Sequence, residues 1–141
     1  MKKGFYTVLL ALSSAVSSYG QSSELCAIEQ TITRFTAAAD NSNVQELDKV
    51  LDPTYQIAMN RLFGSKDVKI VSREAYLEKI RSKEWGGKAR KLTIENVILN
   101  GSTACVKARL SSSKMTFVSL LILTRDSTGT WKIIGDTPII E

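Results

Sequence analysis

Asp40, Tyr55 and Tyr76 are the side chains best suited to move a proton in this sequence, because its 141 residues include no histidine. A carboxylate or a phenol works as a general acid or base only when burial or a neighbouring charge shifts its pKa into the working range. Each also has a plainer use: Asp40 as a solvated residue at a helix end, the tyrosines as apolar rings whose hydroxyls reach water. The same lack of histidine removes serine triads, cysteine–histidine nucleophiles and histidine zinc sites. The two cysteines, Cys26 and Cys105, are too few to close a zinc site alone. No carboxylate cluster has metal-loop spacing and no glycine-rich phosphate loop follows a strand, so no cofactor is indicated.

Residues suited to binding are more numerous. Phe35, Tyr55, Met59, Phe63, Tyr76 and Trp85 are the pocket candidates, bulky groups that either line a cavity or fill the core. Lys107 and Arg109 alternate with Val106, Ala108 and Leu110, which puts both charges on one face of a strand. If that face lined a pocket, the pair could bind a carboxylate or phosphate; the cheaper arrangement turns it to solvent. Lys79, Arg81, Lys83, Lys88, Arg90 and Lys91 form a basic cluster, suited to a solvated helix end or to an anionic envelope surface. The formal net charge of +5 falls to +3 without Lys2 and Lys3, too mild for a nucleic-acid partner.

The elements that must position these groups follow from period and punctuation. Leu25, Ile28, Ile32, Phe35 and Ala39 recur at steps of three and four, giving a helix from about Ser23 to Asp40. Asn43 with Glu46 marks the start of a short second helix, which Pro53 is expected to stop. Tyr55 to Asn60 and Val68 to Val71 read as a hairpin, and Ser72 caps a third helix running to about Lys83, ahead of Gly86 and Gly87. From Arg90 the period changes to two. Leu92–Leu99, Ala104–Leu110, Met115–Arg125 and Thr130–Asp136 then form an antiparallel meander, with Asn100-Gly101 as its first tight turn. A disulfide between Cys26 and Cys105 is chemically permitted, and two separate thiols packed as small hydrophobes are the alternative.

Residues 1–20 read as a secretory signal: a basic Met1-Lys2-Lys3 head, an apolar run from Phe5 to Leu12, and small residues at Ser18-Tyr19-Gly20. Cleavage before Gln21 would leave one domain, 21–141, with 17 basic and 14 acidic side chains, in the periplasm or outside the cell. No later apolar run approaches the roughly 20 residues of a membrane span, and 43% hydrophobic with 23% charged residues is a globular composition.

Thr33-Arg34-Phe35 with Asp40, Val44-Gln45-Glu46-Leu47, Leu120-Leu121-Ile122-Leu123 and Gly129-Thr130-Trp131-Lys132-Ile133-Ile134, in this order, resemble the nuclear transport factor 2-like superfamily. Val71-Ser72-Arg73-Glu74-Ala75-Tyr76 followed by the meander is most similar to its bacterial putative lumazine-binding (SnoaL-like) group. The resemblance implies an α+β fold, a cone in which three N-terminal helices pack on a curved, mainly antiparallel sheet around a cavity. It also implies that the places holding the tyrosine, the aspartate base and the acidic oxyanion donor of steroid isomerases fall near Phe35, Met59 and Leu121, none of which carries a transferable proton.

The expected function is an exported, non-catalytic module holding a small organic ligand in that cavity. The alternatives are a lyase- or isomerase-type enzyme using Asp and Tyr chemistry, or a homodimeric interaction domain with a closed cavity. A homodimer through the sheet is expected because Val118, Leu120 and Ile122 alternate with Phe117, Leu121 and Leu123, leaving one strand apolar on both faces. Terminal sequencing of the folded protein should find Gln21 as its first residue; recovery of Met1 would reject the signal.

Overall fold

The computed structural model describes residues 13–141. The basic head and the apolar run behind the export expectation lie outside the described residues.

Helix α1 (Ser13–Asp40) buries Ile28, Ile32, Phe35 and Ala39 against the sheet, while Leu25 is only half-buried. Helix α2 (Val44–Val50) begins where the Asn43 side chain accepts the Glu46 N–H at 3.1 Å. Its end differs from expectation. The chain leaves the helix at Leu51, and strand β1 (Leu51–Asn60) already contains Pro53. Proline has no N–H for a ladder, and here it needs none: pairing of β1 with the last strand lapses between Leu51 and Gln56, and pairing with β2 starts at Gln56. The Asp52 carboxylate takes the Thr54 N–H instead, at 2.9 Å.

Strand β2 (Val68–Ser72) returns antiparallel to β1, and Ser72 caps α3 (Arg73–Arg81) by accepting the Ala75 N–H at 3.2 Å. The connection beyond α3 crosses the end of α1 so closely that a Cβ on Gly86 would lie 2.3 Å from the Ala39 carbonyl oxygen. With φ at +75° as well, only glycine fits there. Strands β3 (Lys91–Asn100), β4 (Thr103–Ser111), β5 (Thr116–Arg125) and β6 (Trp131–Ile140) complete the expected meander. The sheet order is β2-β1-β6-β5-β4-β3, antiparallel except for the β1–β6 pair. The whole is the α+β arrangement read from the sequence, with helices on a curved, mostly antiparallel sheet.

The inner face carries Ala104, Val106 and Ala108 of β4, Leu121 and Leu123 of β5, and Trp131 and Ile133 of β6, all buried. Strand β6 runs on to Ile140, past the expected end at Asp136, and holds one extra residue. Leu123 pairs with Ile133 but Leu121 pairs with Asp136, so two steps along β5 match three along β6. Ile133 and Asp136 therefore share the inner face.

Cys26 lies exposed on α1, whereas Cys105 alternates with the inward Ala104 and Val106 and so lies on the far side of the sheet. The sheet separates the two thiols and both are free, so the disulfide alternative is excluded. On that outer face Ile98, Leu120 and Ile139 are each about half exposed or more, at 60%, 47% and 50%.

Trp131 clamps α1 to the sheet. It is 3% exposed, its indole N–H donates to Glu24 Oε2 at 2.6 Å, and Arg125 lies over its ring while also pairing with Glu24. Replacing Trp131 by alanine should cost about 3–5 kcal/mol, read from urea unfolding midpoints; equal midpoints would show that the indole contributes nothing to the core.

Candidate functional site

The sheet curves away from the helices at one end and leaves a cavity of about 380 Å³. Its walls come from α1, α3, the inner faces of β1, β5 and β6, the β1–β2 and β4–β5 connections, and the segment from Glu84 to Arg90. Of the six pocket candidates, Phe35, Met59, Phe63, Tyr76 and Trp85 line this space. Tyr55 does not; it is packed behind Phe35 and Tyr76, with ring centroids at 6.4 and 5.5 Å. Tyr76 continues the aromatic wall to Trp85 at 6.2 Å. Phe63 sits at the mouth, 63% exposed, on a turn where Arg61, Phe63 and Gly64 all have positive φ, and its ring meets that of Phe117 at 6.4 Å.

Asp136 lines the cavity as well, among polar groups that include Arg90 and Ser119. Its Oδ1 is enclosed and has no hydrogen-bond partner. Burial pushes its pKa from the ordinary 3.8 to about 6, although the Ser119 hydroxyl on the adjacent strand and the Arg90 charge pull it back. Tyr55 and Tyr76 are pushed well above the usual phenol range, chiefly by burial, with the Asp136 charge adding to the effect in both. Both hydroxyls therefore keep their protons at neutral pH and can donate but not accept one as a base. The Tyr55 hydroxyl, like Asp136 Oδ1, is buried without a partner.

Asp40 is not free for acid–base work. Its two oxygens take the Arg90 backbone N–H at 2.8 Å and the Arg90 Nε–H at 2.6 Å, and its side chain is 10% exposed. Asp40 instead fixes Arg90, whose side chain lines the cavity. Lys107 and Arg109 require a correction as anion-binding candidates. They lie on the outer face of the sheet, away from the cavity, because the inward positions of β4 are taken by aliphatic groups. Glu95 pairs with both, at 3.1 Å to Lys107 and 2.6 Å to Arg109, and Glu141 holds Arg109 as well. The basic cluster near α3 is likewise partly neutralised, through Lys79–Glu84, Arg81–Glu78 and Arg90–Asp40 pairs.

Residues 23–137 match the family model described as "Putative lumazine-binding". The chain belongs to that family. No curated protein sequence matches it. Solved structures share the fold: a nuclear transport factor 2-like protein of Silicibacter pomeroyi has 16% identity and a TM-score of 0.75 over 86% of this chain and 98% of its own. A nuclear transport factor 2-like protein of Shewanella baltica has 11% identity and a TM-score of 0.72, covering 84% of this chain and 94% of its own. A structure from Shewanella frigidimarina described as a putative ketosteroid isomerase has 19% identity and a TM-score of 0.62, covering 80% and 94%.

In this member of the putative lumazine-binding family, Phe35 and Met59 line the cavity with apolar groups and Leu121 is fully buried. Asp136 stands directly across the β5–β6 ladder from Leu121. Sequence reasoning missed it, because strict alternation from Trp131 and Ile133 sends Asp136 outward. Only the extra residue in β6 reverses the parity.

A raised folded pKa means that the native state holds this proton more tightly than the unfolded chain does. Its contribution is full below about pH 4 and is lost as pH rises through about 6. Asp136→Asn should therefore gain stability relative to the parent between pH 4 and pH 8, by up to roughly 3 kcal/mol, read from urea midpoints at both pH values. A constant difference would show that Asp136 titrates normally.

Proposed function

We propose that this chain is a ligand-binding domain holding a small, flat organic molecule in the cavity between α1, α3 and the sheet. The observation that carries this reading is an aromatic-walled cavity of about 380 Å³ with a carboxylate, Asp136, in its wall. Space of that size is at the low end for organic ligands and suits a molecule of two or three rings. The family's name and the lining agree, since Phe35, Tyr76 and Trp85 offer ring faces to a flat heterocycle. The reading includes export, cleavage before Gln21, and a homodimer formed through the outer face of the sheet, where Ile98, Leu120 and Ile139 are exposed.

One observation favours a second reading, a lyase- or isomerase-type enzyme. Asp136 is a carboxylate lining the cavity with a pKa of about 6, which suits a general base at neutral pH, and the protonated Tyr76, which lines the same cavity, is available as a donor. The likeness in fold to a structure described as a putative ketosteroid isomerase agrees with it. Asp40, bound to Arg90, has no part in this version.

Native mass spectrometry of the protein purified from its own cell envelope should show a dimer carrying a small aromatic compound. A bare monomer would reject both the ligand and the dimer. Assay with enolisable ketones separates the two readings: no turnover is expected of a binding module, whereas turnover abolished by Asp136→Asn would establish the enzyme.

A further inference from the structure

The cavity's polar groups are unequal, and they restrict what it can hold. Arg90 is gripped along one edge, since Asp40 takes its backbone N–H and its Nε–H. Among the described residues nothing bonds its two Nη groups, and the side chain is part of the cavity wall. A guanidinium held in this way presents a planar fork of donors that matches a carboxylate. Lys88 and Lys114 stand at the mouth on different loops, and neither has an ion-pair partner among the described residues. The one acidic group at the rim, Glu84, is tied to Lys79 at 2.6 Å. The mouth is therefore net positive. Deeper in, the Asp136 carboxylate forms part of the wall; its Oδ1 is enclosed, which leaves the other oxygen to meet a ligand's donor.

These demands exclude most ligand classes. A hydrocarbon would desolvate Arg90 and the cavity-facing side of the Asp136 carboxylate with no hydrogen bond in return. A cation would enter against Lys88, Lys114 and Arg90. A simple anion with no donor would satisfy Arg90 and leave Asp136 unpaired. Phe35, Tyr76, Trp85 and Phe117 give the site flat walls, which favour a ring system over a flexible chain.

We propose that the cavity selects a flat aromatic or heteroaromatic acid bearing an O–H or N–H donor, with its anionic oxygens on Arg90 and its donor on Asp136. This specificity rests on the ligand-binding reading above. Binding forms one charge-assisted fork at Arg90 and one hydrogen bond to Asp136, with the lysines steering the anion inward. The groups facing Asp136 are Arg90, Ser119, Tyr55 and Tyr76. Only Arg90 is charged, so the donor contact should strengthen as Asp136 ionises between about pH 5 and pH 7.

The test is a fluorescence titration of the full mature protein with four naphthalene probes: the 3-hydroxy and 6-hydroxy isomers of 2-naphthoate, 2-naphthoate lacking the hydroxyl, and 2-naphthol lacking the acid. At neutral pH at least one hydroxynaphthoate should bind about tenfold tighter than either single-function probe. Asp136→Asn should erase the advantage over 2-naphthoate and leave 2-naphthoate itself unchanged. Arg90→Gln should weaken both kinds of acid and spare 2-naphthol. Should loss of the Asp40 partner unfold that variant, Lys88→Gln with Lys114→Gln, both exposed, should weaken the acids severalfold and flatten their salt dependence. Equal affinities for 2-naphthol and the acids in parent and variants would overturn the specificity and leave a general binding cavity standing. Failure of all four probes, 2-naphthol included, would overturn the cavity reading with it.

Discussion

One extra residue in β6 decides what the curved sheet presents to the helices. Up to Ile133 the strand alternates in step with β5, and Trp131 and Ile133 join the core. Beyond the bulge the parity is reversed, so that Asp136 and Pro138 point inward and line the cavity. Without it, Gly135 and Thr137 would face the helices, and the cavity would have no carboxylate. The bulge also sharpens the local twist, consistent with a sheet that hugs α1 at the Trp131 end and parts from the helices at the Pro138 end. Packing and chemistry are thus separated along a single strand.

The second organising contact is the clasp between Asp40 and Arg90. It ties the last residue of α1 to the chain entering β3, across 50 positions of sequence, and is reinforced where Gly87 donates its N–H to the Ala39 carbonyl at 3.2 Å. Gly86 lets the segment come this close. The clasp thus closes the cone beside the cavity and aims a guanidinium into it. Being largely buried, it should hold its geometry better than the exposed pairs at Arg34–Glu46 or Arg81–Glu78, which contribute little.

Much of the binding surface has no charge because the fold uses its aromatic groups twice. Phe35, Tyr55 and Tyr76 form one contiguous cluster, of which Tyr55 is entirely core while Phe35 and Tyr76 also face the cavity. The outer face of the sheet solves the opposite problem. There Glu95 and Glu141 satisfy Lys107 and Arg109, leaving exposed aliphatic side chains around a neutralised charge network.

The sequence by itself determined the order of elements, the three helices, the meander and the family, because these depend on local period, caps and turns that each segment carries in its own residues. Five of its six pocket candidates also line the cavity, since bulky apolar groups on inward stripes have few other places to go. Tertiary structure decided the rest. That Tyr55 lies behind the wall, that Asp40 is spent on Arg90, and that Lys107 and Arg109 face outward are matters of which partner each residue meets across the fold. Asp136 shows the limit most clearly. Its inward direction comes from a register shift between β5 and β6, and a register belongs to two strands at once, so no reading of β6 alone contains it.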